Sequence, residues 1–438
     1  MQTAILGGGL TGVTLARLLH ARGEECVVLE AEEEIGGLCR SLTADGYTFD
    51  RGGSHIIFSR DLEVLDFMRD VLEGNRGERD RDTRIFFKNR FIRYPFENGL
   101  ADLPKEDLFF CINEYIRTLI ASEKGELDPP RNLKEWCIGT FGRGIAESYL
   151  IPYNEKIWKY PTDHISCHWV EGRIPRPPVE DVIKSAIGIV TQGYVHQARF
   201  SYPVRGGIEA LIHAIALPVK DSIRTGFCVR SIRKRGDRWL IGDGECVVEA
   251  DRIFSTIPLQ HLYAAIDHVP ARVRNAVDGL RYNSLACIFI GLRSGVPGIS
   301  WLYIPDPADG LENRVSFPSN YSTEVAPPGR SSVLVEITYR PGDEVSSMSD
   351  RALVDHAVSS LSKMGIIRPE DVEFTGIERQ EFAYVIYDLE YLHNIGVVRK
   401  YCASIGIDLI GRFSQFEYLN MDGCIRSALD FAGRLPCA

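Results

Sequence analysis

Gly7, Gly9 and Gly12, in the run GGGLTG, stand at the spacing G-x-G-x-x-G, and Glu30 follows about 20 residues on. Glycines so spaced let a backbone turn approach a pyrophosphate. The amides that open the following helix then face the negative charge, and an acid at that distance accepts ribose hydroxyls. The chemistry is dinucleotide binding. Gly36 and Gly37, followed by Leu38, allow a second close approach of backbone to ligand, as a longer cofactor lying across a sheet requires. FAD therefore fits better than NAD. Near the other end, Gly411 and Arg412 in GRFSQFEYLNMD precede a helix expected to run to Ala432. Its start either faces the flavin end of the cofactor or is merely structural. Thr11 and Met421 complete the expected cofactor contacts.

These residues need a strand, a turn and a helix to position them. Ala4, Ile5 and Leu6 precede the glycines, a helix-like stretch follows, and a second apolar strand ends at Glu30, so residues 1 to about 60 read as βαβ. A glycine-rich turn without a ligand would not need that context. Helical spacing then recurs over Leu62–Leu72, Leu108–Ile120, Trp136–Leu150 and Val179–Val190, so 61–195 is expected to be a mainly helical insertion that contributes to the nucleotide site. The prolines within 174–179 read as a rigid connection. Strand-like runs return at Cys228–Ile232, Trp239–Ile241, Cys246–Val248 and Arg252–Phe254. Further runs at Ser284–Leu292, Trp301–Ile304, Asn313–Phe317 and Ser332–Tyr339 suit an antiparallel substrate wall. Because cofactor signals lie at both ends, the cofactor domain is expected to be discontinuous, from 1–60, 196–260 and 385–438, with a substrate domain at 261–384.

The chain has 438 residues with a formal net charge of -10, which argues against a nonspecific nucleic-acid binder. No apolar run reaches the ~20 residues of a membrane span, and a core strand begins at once, so a cytoplasmic location is expected. The 11 cysteines form no CxxC pair and read as reduced, apolar side chains.

The segment GGLCRSLTADGYTFDRGGSHIIFS (36–59) resembles the flavin enzymes that include amine oxidases, protoporphyrinogen oxidases and UDP-galactopyranose mutases. RYPFENGLADLPKEDL (93–108), PYNEKIWKYPTDHISCHWVEGR (152–173), ENRVSFPSNY (312–321) and GRFSQFEY (411–418) narrow this: they resemble mutase motifs, nearer the eukaryotic type, in the same order along nearly the whole chain. The resemblance implies an α/β protein, with a Rossmann-type FAD-binding domain, an inserted helical domain and an antiparallel-sheet substrate domain. It also implies a reduced FAD whose N5 attacks the anomeric carbon of a UDP-sugar, interconverting pyranose and furanose with no net redox change. The partners implied are a nucleotide-diphosphate sugar and an electron source, NAD(P)H or a reductase; oligomerisation stays open.

By the same resemblance, Arg173 and Arg314 match the arginines that grip the diphosphate, a task that suits the planar guanidinium fork. Tyr303, Tyr321, Tyr384 and Tyr418 match the tyrosines around it; for each the alternative is a ring packed in the core. Asn154 and Trp158, four apart and so on one helical face, resemble the uridine pocket. Tyr94 and Glu97 fall where the family has a tyrosine and usually a glutamine. Glu97 departs from that pattern, and a carboxylate cannot donate as an amide does. His55 resembles the histidine over the isoalloxazine, although Ser54 intervenes after Gly52 and Gly53. Arg84 and Arg205 are secondary candidates for nucleotide and cofactor contacts.

His164, Cys167 and His168 have metal-like spacing, but they sit in a mutase-like motif where no metal acts, so none is expected. Asn320-Tyr321-Ser322 satisfies the glycosylation pattern in a chain not expected to meet that machinery. The rival to a mutase is an amine-oxidase-type oxidase or dehydrogenase, whose pocket has no reason to place two guanidiniums for a diphosphate.

Overall fold

The computed structural model describes residues 2–170, 173, 174, 176–191 and 198–436; Glu171 and Gly172 of the HWVEGR segment and Pro175 of the proline-rich connection lie outside them. A five-stranded parallel sheet runs in the order Ile407–Leu409, Arg252–Ser255, Thr3–Leu6, Cys26–Leu29, Ile223–Arg224. Its strands come from both ends and the middle of the chain. Thr3–Leu6 is buried on both faces, which is why it reads as a continuous apolar run. Helix Leu10–Ala21 leaves that strand through Gly7–Gly9 and packs against helix Met421–Arg434. It has no capping side chain and no acid in its first turn, so its leading amides remain available to an anion.

The second layer is a seven-stranded sheet in the order Val372–Ile386, Arg281–Leu292, Ser331–Tyr339, Arg314–Ser316, Trp301–Tyr303, Thr83–Phe87, Arg90–Arg93. All pairs are antiparallel except Trp301–Tyr303 with Thr83–Phe87. Helix Asp350–Lys363 covers one face through Leu353, Ala357 and Leu361.

Several elements differ from the sequence reading. The stretch expected to be helical contains the hairpin Thr83–Phe87/Arg90–Arg93, whose turn residues Lys88 and Asn89 both have positive φ, 48° and 62°. Their left-handed backbone matches strand twist, and without glycine the turn left no sequence signal. Gly77–Asp80 likewise pairs with Arg199–Tyr202. Helix Val179–Ala186 ends before the expected Val190, as Gly188 turns at φ 80°. The expected Trp136–Leu150 helix is two pieces, Leu133–Ile145 kinked at Gly142 and a π turn over Ala146–Leu150, leading into Ile151–Trp158. The 15-residue strand Val372–Ile386 was not expected; its alternation lasts only over Val372–Thr375 and is followed by five residues half-buried on both faces. The C-terminal helix runs over Met421–Arg434, and Gly411 and Arg412 precede it in a separate turn.

Candidate active site

The glycines of the fingerprint are there for close packing. A Cβ on Gly12 would stand 2.0 Å from the Gly7 carbonyl oxygen, and one on Gly7, at φ 98°, 2.8 Å from Thr256 Oγ1. Gly9 bridges to Gly36, and Gly37 lies against it. The Glu30 carboxylate accepts from the Gly8 amide at 2.6 Å and the Glu32 amide at 3.0 Å, which fixes it beside the glycine turn. Gly411 crosses Thr11, a Cβ there meeting Thr11 Oγ1 at 2.4 Å. Leu38 passes over Gly52, and Met421 belongs to the same buried cluster as Leu10 and Cys39. A backbone channel of this kind, open at an uncapped helix start and closed by an acid, fits an extended dinucleotide. Arg205 does not join it: its side chain is 78% exposed and pairs with Glu324.

Beyond the channel the chain turns at Gly52–His55. Gly53 has φ 95°, which a side chain would resist. The intervening Ser54 is anchored on every side: its amide donates to Glu336 Oε1 at 3.1 Å, its hydroxyl meets the Tyr321 hydroxyl at 3.0 Å, and its carbonyl accepts from Arg314 Nη2 at 3.3 Å. The extra residue is thus absorbed as a link between the turn and the antiparallel sheet. His55 Nδ1 lies 2.7 Å from the Gly53 carbonyl; burial, then the nearby arginines, push its pKa down to about 4. The ring is neutral at pH 7, so Nδ1 donates to the carbonyl and Nε2 is left as the acceptor. Beneath the turn, Asp50 accepts from Ser41, Tyr202 and Ile208, and burial pushes its pKa up to about 6.

A wall of rings faces this turn. Tyr384 and Tyr418 stack at 6.0 Å and 14°, and Trp158 stands edge-on to both. Arg412 sits over the two tyrosine rings, at 5.3 Å and 4.7 Å, and Arg173 over Tyr418 at 5.7 Å. Arg173 is held by the Trp169 carbonyl at 2.9 Å and the Tyr418 carbonyl at 3.2 Å. Among the described residues neither Arg173 nor Arg412 has a carboxylate partner, whereas Arg314 forms a two-pronged pair with the fully buried Glu336, both contacts 2.7 Å. Carbonyl bonds and ring faces are what hold the first two among the described residues.

Trp158 Nε1 donates to Asn154 Oδ1 at 2.9 Å, and Asn154 Nδ2 donates to the Leu150 carbonyl at 2.7 Å. Asn154 therefore fixes the Trp158 ring. Tyr303 lies directly across the sheet from Arg314 and meets Tyr94 at 5.3 Å and Tyr153 at 5.1 Å. Glu97 is buried in the turn Phe96–Asn98. Two expectations are redirected. Tyr321 is a core ring whose hydroxyl reaches Ser54 and, at 3.1 Å, the Ser300 carbonyl, so it supports the histidine turn. Arg84 is engaged by Asp82 at 2.6 Å and 3.0 Å, while the cation among the aromatic rings is Arg81, over Tyr94 at 5.0 Å and Trp301 at 4.6 Å. His164 contacts Asp163, and His168 stacks on Tyr387.

The sequence reading missed Arg81, Tyr153, Trp169, Tyr387 and Glu336. For Glu336 a signal exists: it is the one acid in the apolar strand SSVLVEITY, and an acid buried there needs a cation. Arg81 sits in the charged run RDRDTR, which reads as a solvated surface.

A parallel sheet with a dinucleotide channel, together with a larger sheet that carries a cationic aromatic pocket, defines a flavoprotein. The chain belongs to the flavin-containing amine oxidoreductase family, whose model matches residues 10–393. Its cofactor is FAD. The fold superposes on a crystal structure of reduced UDP-galactopyranose mutase with a TM-score of 0.89 at 25% identity, covering 98% of this chain and 94% of that one. A structure from Exiguobacterium sp. 255-15, provisionally assigned as a protoporphyrinogen oxidase, follows with a TM-score of 0.77 at 18% identity, over 99% and 98%. Among curated proteins, a 4,4'-diapophytoene desaturase from Staphylococcus haemolyticus is 28% identical over 125 residues, 28% of this chain and 23% of that protein's length. No helix among the described residues is long and apolar enough to cross a membrane.

Proposed function

We propose that this protein is a flavin-dependent nucleotide-sugar mutase that interconverts the pyranose and furanose forms of a UDP-sugar, UDP-galactose above others. The observation that carries the reading is the set of guanidiniums around the Tyr384–Tyr418 wall: Arg173 and Arg412 without carboxylate partners among the described residues, and Arg314 held rigid by Glu336. Two guanidiniums beside aromatic walls, without a carboxylate partner among the described residues, suit a nucleoside diphosphate and serve no purpose for an amine. The full-length likeness to a mutase structure supports the same reading.

Bound reduced FAD would supply the nucleophile for a reaction without net redox change. Gly7–Gly12, Glu30 and Gly36–Leu38 would hold it. Arg173 and Arg314 would take up the charge that develops on the departing diphosphate, stabilising the transition state as well as the bound substrate. Trp158, fixed by Asn154, would stack on the base, and neutral His55 would offer an acceptor beside the flavin without repelling the arginines. Segments 1–60, 196–260 and 385–438 would form the cofactor domain. A cytoplasmic setting and NAD(P)H or a reductase as electron source belong to this proposal. Its rival, an oxidase, is favoured by the family as a whole and by the Exiguobacterium structure.

The deciding experiment incubates dithionite-reduced protein with a panel of UDP- and dTDP-sugars and separates products by chromatography. A new furanose-form nucleotide sugar is expected. Its absence across the panel, with peroxide released from an amine instead, would establish the oxidase.

A further inference from the structure

Glu336 lies in the middle of strand Ser331–Tyr339, wholly buried, directly across from Arg314 on the neighbouring strand. Its two oxygens make three hydrogen bonds and fill one gap. Oε1 accepts from Arg314 Nε and from the Ser54 amide, Oε2 accepts from Arg314 Nη2, and Oε2 also occupies the space a side chain on Gly53 would need, 2.9 Å from that position. Arg314 Nη2 closes the ring on the Ser54 carbonyl. The Gly53 carbonyl, in the same turn, orients His55. One carboxylate therefore fixes the cation on the substrate sheet and the backbone of the turn that carries the histidine.

Resting on the diphosphate reading above, we propose that Glu336 is a positioning residue that sets Arg314 and the His55 turn in register. It neutralises the Arg314 corner, so that among the described residues the pocket cations without a carboxylate partner are Arg173 and Arg412. A carboxylate pinned by two guanidinium bonds and an amide cannot follow Arg314 if the arginine moves. Arg314 meets a ligand as a fixed donor through Nη1, its Nε and Nη2 being occupied. Such an arrangement sacrifices ground-state attraction for geometry, and the two can be separated by measurement.

Glu336→Gln keeps the shape and the Ser54 bond but removes the charge and turns a donor toward Arg314. UDP, titrated calorimetrically against the FAD-loaded protein, should bind at least as tightly as to the parent, because the pocket gains positive charge. Turnover of the reduced enzyme at saturating UDP-sugar should fall about 10- to 100-fold, the scale of a misplacement near 1 Å, with flavin content unchanged. Glu336→Asp, which keeps the charge on a shorter arm, should recover part of the turnover. The proposal is overturned if Glu336→Gln turns over within twofold of the parent, or if UDP affinity and turnover fall together. If Glu336→Gln yields no flavoprotein, Glu336→Asp decides alone: reduced turnover with parental UDP affinity upholds the proposal, and any other pattern rejects it. A parent that does not bind UDP rejects the diphosphate reading itself, a result distinct from these.

Discussion

Arg173 and Arg314 meet the pocket by different means, the first on carbonyls and ring faces, the second through a buried carboxylate. Removing either should cost about 2 to 4 kcal/mol of transition-state binding, the range for charge-assisted bonds and for one lost oxyanion donor. That corresponds to roughly 30- to 1000-fold in kcat/KM. Steady-state kinetics of Arg173→Ala and Arg314→Ala check this, and lysine at either position should rescue poorly because it lacks the planar fork. Parental UDP affinity in both alanine variants would contradict the assignment. Asp50 and His55 make a second prediction, with opposite signs. Asp50 titrates near 6 in the folded state against 3.8 in its ordinary state, so its stabilising share is full below 3.8 and is lost as pH rises through 6. At 1.36 kcal/mol per unit that is on the order of 3 kcal/mol. His55 titrates near 4 against 6.5, so its share is full above 6.5 and is lost as pH falls through 4. Between about pH 4 and 6 the two slopes oppose each other. Thermal midpoints across that range should show Asp50→Asn gaining on the parent as pH rises and His55→Asn losing ground. Parallel curves for both variants would contradict this.

At the scale of elements, the cofactor turn tolerates no added atom. Gly12→Ala would press a methyl into the Gly7 carbonyl oxygen at 2.0 Å, a backbone atom that cannot swing aside, so the strand-to-helix turn must open. The expected result is a chain purified with little or no FAD, read from the flavin absorbance per protein, whereas Gly23→Ala, where no atom lies within 4 Å, should cost only its left-handed backbone and keep its flavin. This turn was legible in the sequence because its glycines, apolar strand and Glu30 are local and serve one purpose. The hairpin at Thr83–Arg93 was not, since its turn residues, Lys88 and Asn89, adopt positive φ without glycine. Nor was the strand Val372–Ile386, whose pairing with Arg281–Leu292 is long-range and whose alternation stops after its first four residues. Arg173, Trp158, Tyr384 and Tyr418, named from separate motifs, lie side by side in the structure. Tyr321 could not be separated from them by sequence, because a ring in the core and a ring at a ligand have the same composition around them; only the bonds to Ser54 and Ser300 tell them apart.

For the whole molecule, the parallel sheet gathers strands from residues 3, 26, 223, 252 and 407 onward, and the antiparallel sheet returns Arg314 and Tyr384 to the same centre. Glu336 ties the antiparallel sheet to the His55 turn by binding Arg314 on one side and Ser54 on the other. An oxidase and a mutase could share this architecture, and they differ in what the flavin's oxidation state does to turnover. The proposed reaction consumes no electrons, yet it needs an electron-rich flavin, so one reduction should support many turnovers. Anaerobic stopped-flow followed by chromatography tests this. Dithionite-reduced protein should convert many equivalents of UDP-sugar with its flavin spectrum still reduced at the end, and oxidised protein should convert none. An oxidase or dehydrogenase would instead use its oxidised form and bleach once per turnover. Equal conversion by oxidised and reduced protein would exclude the mutase mechanism, and bleaching of the oxidised flavin by substrate would identify the rival.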